Sequence, residues 1–157
     1  MPLFKSKVPP KPTPKDYASF ILQTSLRSTF NGFFQAFMFE LVSSTVRSSV
    51  NPKLYVPMNK RIRSSIQHGK SMAITQGLYS ACETSLVCLT KREGTAITSL
   101  SCIIAGMLSH PGNFRKKVRS TASFTMMTLS SDLMVGKPFL RPVDISFLFS
   151  NRSKDEE

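Results

Sequence analysis

Small residues recur at every fourth position through the stretch Ser71 to His110, and this pattern limits the chain more than any other. Ala73, Gly77, Ala81 and Ser85 form one line. Ser101, Ala105 and Ser109 form a second, beside Thr98, Cys102 and Gly106. Residues four apart share one face of an α-helix, so each line is a flat strip against which another backbone can lie close. Between the lines stands Lys91-Arg92-Glu93-Gly94, a charged turn ending in glycine, and the stretch reads as a helical hairpin. In lipid, burial of apolar surface does not drive helices together, and small-residue strips become the main packing device. A helical hairpin in water with a small-residue seam is the plainer alternative.

The placement of charge favours the lipid reading. Lys and Arg are absent from 28–46, 71–90, 93–114 and 120–136, and short basic loops separate these windows. A membrane-spanning helix needs about 20 residues, close to the length of each window. Against this, mean hydropathy is -0.07 and no long purely apolar run exists, so hydropathy alone identifies no span. The chain has 157 residues, the size of one domain, and a net charge of +12. Such a charge implies an anionic partner, either nucleic acid or an anionic lipid surface. The basic residues divide almost evenly between the two sides that four spans would define, so the positive-inside rule assigns no orientation.

In order, residues 1–16 are a Pro- and Lys-rich tail expected to be extended. It has neither the apolar core of a signal peptide nor the pattern of a transit peptide, so any organellar address is expected to be internal. A four-helix membrane domain is expected over 17–136. Asp16 caps a first helix that starts at Tyr17 and runs on through 28–46, with Phe30, Phe33, Phe34, Phe37 and Phe39 on a broad aromatic face. The line Gly32, Ala36, Glu40, Ser44 crosses it. Residues 47–70 read as a loop, with turns at Asn51-Pro52 and Val56-Pro57 and a short interfacial helix before Gly69. The second, third and fourth helices are expected over 71–90, 95–109 and 118–135, the last stopped by Gly136-Lys137-Pro138. Residues 137–157 form a tail whose patch Ile145 to Phe149 is expected to dock on a neighbouring protein.

Enzyme chemistry is not expected. His68 and His110 have no Cys or carboxylate at nucleophile spacing, no phosphate-binding loop exists, and Cys82, Cys88 and Cys102 form no metal-binding motif. No catalytic residue, cofactor or metal site is therefore assigned. Phe residues sit away from the basic loops, whereas base stacking needs aromatics beside positive charge, so no nucleic acid partner is expected. A basic ribosome-associated protein is the remaining alternative of this kind. Glu40, Glu83 and Asp132 fall within the expected spans, where ionisable groups face protein or a wet cavity. They either pair with neighbours, Glu83 with Gln76 and Ser80 on its own face, or line a polar groove formed by Glu40 and Glu83. Arg61, Arg63, Arg115, Lys116 and Lys117 are candidates for contact with lipid headgroups or partner proteins.

Gly77-Leu78-Tyr79-Ser80, Cys82-Glu83, the turn Lys91-Arg92-Glu93-Gly94 and Ala105-Gly106 stand in the order seen in one family. Over roughly 70–110 the chain resembles the mitochondrial inner-membrane translocase family. These are small four-helix subunits of the presequence and carrier translocases, with a related accessory subunit of respiratory complex I. The resemblance implies an all-α membrane fold of four short transmembrane helices packed through Gly32, Ala36, Ala73, Gly77, Ala81, Ser85, Ala105 and Gly106, with Lys91, Arg92 and Glu93 in the turn. Where the family turn continues with an Asp and an Asn, Thr95-Ala96-Ile97 stands here, and Ser109-His110 replaces a second glycine. The first helix lacks a cysteine, so the family's helix-to-helix disulfide cannot form. The expectation is a non-catalytic accessory subunit of a respiratory complex in the mitochondrial inner membrane. Its partners would be other subunits and an anionic phospholipid such as cardiolipin. A translocase subunit that guides polypeptides is the alternative.

Overall fold

A computed structural model describes residues 12–51, 55–109 and 114–145. The protein is all-α: α1 (Pro14–Val50), α2 (Met58–Thr90), α3 (Thr95–Ser109) and α4 (Phe114–Met134). Two short strands, β1 (Arg92–Glu93) and β2 (Arg141–Pro142), complete the order of elements.

α1 extends past both ends of the expected 17–46, and α2 is much longer than the expected 71–90. α1 has 37 residues and α2 has 33. α1 begins at Pro14 rather than Tyr17. Thr13 is its N-cap, and Asp16 is not the cap but the third helical residue: its carboxylate accepts from the backbone N–H and the hydroxyl of Thr13, each at 2.7 Å. At the other end α1 runs past Arg47, so the expected loop over 47–70 shrinks to the few residues between Val50 and Met58. The interfacial helix expected before Gly69 is the first part of α2. Residues 1–11 and the segment after Ile145, which includes most of the expected docking patch, lie outside the described residues, as does His110.

No helix among the described residues is long and apolar enough to cross a membrane. The expectation of four short transmembrane helices is met in the number and type of the helices but not in their apolar length. α3 is the most apolar but has only 15 residues, and α4 opens on Arg115 and Lys117. Ser, Thr and Gly fill the positions that larger apolar residues would occupy, and this holds hydropathy down along every helix.

The helices pack in chain order, α1 on α2, α2 on α3 and α3 on α4. Among the described residues no extensive contact closes α4 back on α1, although Phe124 and Met127 of α4 approach the α1–α2 pair, so the arrangement is an open, folded layer rather than a closed bundle. α1 and α2 run antiparallel and meet along small residues. The Ser25 hydroxyl donates to the Gly77 carbonyl at 2.9 Å, and the Ser28 hydroxyl donates to that of Gln76 at 3.2 Å. A methyl group at Gly32 would come within 2.8 Å of Gln76, and one at Gly69 within 2.9 Å of the Phe33 ring. Contact distances below 3.0 Å leave no room for a side chain, so backbone approach here requires glycine.

The interior is polar and small. Its most enclosed side chains are Thr98, Cys102, Ser65 and Ser101, with Ala105 fully buried among them. Ser65 and Ser101 satisfy their hydroxyls on the carbonyls of Arg61 and Ile97, one turn back. Ile97 and Ile145 are buried, but many large apolar side chains point outward: Phe39 is 71% exposed, and Phe30, Phe34, Val42, Leu100, Leu108 and Met127 are exposed as well. In water-soluble domains residues of these types are fully buried more often than Ser and Thr.

Candidate functional site

The seam of α2 is longer than its sequence line. Ala73 and Gly77 are buried as expected, whereas Ala81 and Ser85 are only half-buried. The line extends in the other direction instead, through Gly69 and Ser65 to Arg61, all buried. On α1 the buried pair is Gly32 and Ala36. On α3, Ala105 and Gly106 are buried, and a methyl group at Gly106 would come within 2.8 Å of the Thr121 side chain of α4.

The hairpin turn is clamped by the segment that follows α4. Lys91 adopts the left-handed conformation with φ 53°, and Gly94 has φ 143°. β1 pairs antiparallel with β2, with Arg92 opposite Pro142 and Glu93 opposite Arg141. Glu93 and Arg141 also form an ion pair. The first backbone N–H groups of α3 have no partner within their own helix. Those of Thr95 and Ala96 donate instead to the carbonyls of Pro138 and Phe139, at 3.0 and 3.1 Å. The Val143 N–H then donates to the Lys91 carbonyl at 3.0 Å, and Ile145 is buried. This first part of the expected docking tail therefore binds its own chain.

Beneath the clamp lies a charged node. Lys137 Nζ donates to Thr98 Oγ1 at 2.7 Å, and Thr98 Oγ1 donates to Glu83 Oε1 at 3.0 Å. Lys137 Nζ also stands 3.6 Å from Glu83 and 3.4 Å from Asp132 Oδ2. Tyr79 neighbours Glu83 and packs edge-on against Phe124, ring centroids 6.0 Å apart. Glu83 and Asp132 thus share one cation between α2, α3 and the end of α4. Glu40 is not with them. It lies toward the opposite end of the α1–α2 pair, in a pocket with Arg47 and Arg61. The expected groove lined jointly by Glu40 and Glu83 does not form, because antiparallel packing sends the two carboxylates to opposite ends.

One face of the layer carries a continuous hollow. Its polar end, about 290 Å³, is lined by Thr24, Arg27, Asn31, Gln35, Gln76 and Ser80. Its apolar end, about 430 Å³, is lined by Ala36, Phe39, His68, Met72 and Met127. Gly32, Gln35 and Gln76 belong to both. A second groove between α3 and α4, about 370 Å³, is lined by Ile103, Met107, Val118 and Met126. The buried hydroxyls of Thr121 and Thr125 at that groove find no hydrogen-bond partner among the described residues.

Of the basic candidates, Arg61 is buried, whereas Arg63 and Arg115 are exposed and Lys117 is half-exposed. The Lys116 side chain lies outside the described ones. The three cysteines carry free thiols, and no group of side chains among the described residues is arranged to hold a metal ion. The chain matches no family model, no curated protein and no solved structure.

Proposed function

We propose that this chain is a non-catalytic accessory subunit of a respiratory assembly of the complex I type in the mitochondrial inner membrane, holding larger neighbours together through its helix faces. One observation carries the reading: the most enclosed side chains are small and mostly hydroxyl-bearing, whereas many Phe, Leu, Val and Met side chains face outward. Outward apolar faces on this scale mark contact with lipid or with other proteins. Individual helices of modest hydropathy suit a subunit whose polar positions are shielded by neighbours rather than by its own sequence. Its role is packing, and anionic phospholipid fills the remaining contacts at the basic loops.

A second reading is a translocase subunit that guides polypeptides into or across the membrane. It is favoured by the open layer and the hollow with a polar and an apolar end, which together offer a moving segment both kinds of surface.

Carbonate extraction followed by mild solubilisation tests both readings. Retention in the membrane pellet and co-purification with electron-transfer subunits is the expected result. Co-purification with precursor polypeptides transfers the assignment to the translocase reading. Release into the carbonate supernatant, or sedimentation with ribosomes, overturns the membrane assignment altogether.

A further inference from the structure

Arg61 is the one charged side chain among the described residues that is nine-tenths buried, with 9% of its surface exposed. No carboxylate lies within ion-pair distance of it among those residues, although Glu40 lines the same pocket. Its Nε donates to the Val56 carbonyl at 2.6 Å, and its guanidinium lies over the Tyr55 ring, 5.4 Å from the centroid. These contacts fix the plane of the guanidinium and leave its terminal nitrogens without an acidic partner. Burying a charged group without a compensating charge is costly, so a fixed buried guanidinium of this kind calls for an anion.

The pocket it lines has room for one and combines apolar surface with basic and hydroxyl side chains. The pocket measures about 280 Å³, several times the ~30 Å³ that a water takes in the liquid. Arg47 of α1 lines it from the other helix, with Ser44 and Ser64 beside. Arg61 and Arg47 thus bring two guanidiniums from two helices to the lining of one pocket, and the planar N–H fork of a guanidinium matches phosphate oxygens. Glu40 is the opposing charge at the same pocket and lowers the net attraction.

We infer that this pocket binds a phosphate-bearing anion, held between Arg61 and Arg47. The inference is independent of the accessory-subunit reading, since it requires only that the α1–α2 pair be folded.

The test is isothermal titration of the full chain in a nonionic detergent with two probes, inorganic phosphate and dioctanoyl phosphatidylglycerol. Binding of at least one probe is expected. Binding of the lipid alone identifies a headgroup as the source, and comparable binding of both identifies a free phosphate group. Arg61→Gln and Arg47→Gln each weaken binding about tenfold, as for one lost charge-assisted hydrogen bond. Arg47 is exposed, so its substitution keeps the test valid if the Arg61 variant fails to fold. Glu40→Gln tightens binding, and Arg63→Gln, which removes a neighbouring charge outside the pocket, leaves it unchanged. If neither probe binds, if Arg63→Gln weakens binding as much as Arg47→Gln, or if Glu40→Gln abolishes it, the inference is overturned.

Discussion

Lys137 donates to the hydroxyl of Thr98 at 2.7 Å, across 39 positions of sequence, and so ties the exit of α4 to the first turns of α3. The same ammonium is the shared counter-charge of Glu83 and Asp132. Lys137→Met leaves two carboxylates facing each other without it, and is expected to destabilise the fold by about 1–3 kcal/mol. Melting in detergent, followed by circular dichroism, reads the change. Added to Lys137→Met, Glu83→Gln should cost less than it does alone, because the two groups act as a pair. Additive losses would show that the node is only an accident of proximity.

Gly94 meets two limits at once. Its φ of 143° is one that residues with a side chain rarely adopt, and a methyl group would come within 2.7 Å of the Pro138 carbonyl. Gly94→Ala should therefore detach the segment 137–143 and open it to limited proteolysis. Gly136 has φ 70° but nothing within 4 Å of the same methyl position. Gly136→Ala should cost only the left-handed strain, about 1–2 kcal/mol, without exposing that segment.

The distribution of small and large side chains separates folding from membrane residence. Phe30→Ser, Phe34→Ser and Val42→Ser combined alter only outward side chains. Helix content should stay the same while carbonate releases more of the protein. Gly77→Leu does the reverse, because a side chain there strikes Thr29 across the α1–α2 seam. Its loss of stability should reach several kcal/mol, the ~1–3 kcal/mol of overpacking plus broken seam hydrogen bonds.

Thiol labelling ranks burial directly. Cys102 is fully buried, and Cys82 and Cys88 are half-buried. A maleimide should reach Cys102 only after denaturation, and later than the other two. Equal labelling of all three in the native protein would contradict the packing of α3.

The all-α architecture, the hairpin turn and most of the glycine contacts were legible because each leaves a local trace: a four-residue period or a charged turn ending in glycine. The end of α1 was not. Arg47 closes a window free of basic residues and reads as a boundary, yet the helix continues through Thr45, Ser48 and Ser49, whose hydroxyls donate one turn back to helical carbonyls. The burial of Arg61 was hidden for a similar reason. A charge marks the surface by default, and only the Val56 carbonyl and the Tyr55 ring explain how this one enters the seam. The β1–β2 pairing joins residues separated by the whole of α3 and α4, and no local pattern announces it. The separation of Glu40 from Glu83 likewise depends on antiparallel packing rather than on either residue's own surroundings.

Because β2 and Lys137 fasten α2, α3 and α4 to one another at a single end, the layer is riveted there like the ribs of a fan. Any splaying of α2 from α3 and α4 grows with distance from the rivet, so it is widest at the far rim, toward Met58 where α2 begins. A neighbour that wedges or squeezes that rim works with the longest lever the molecule has.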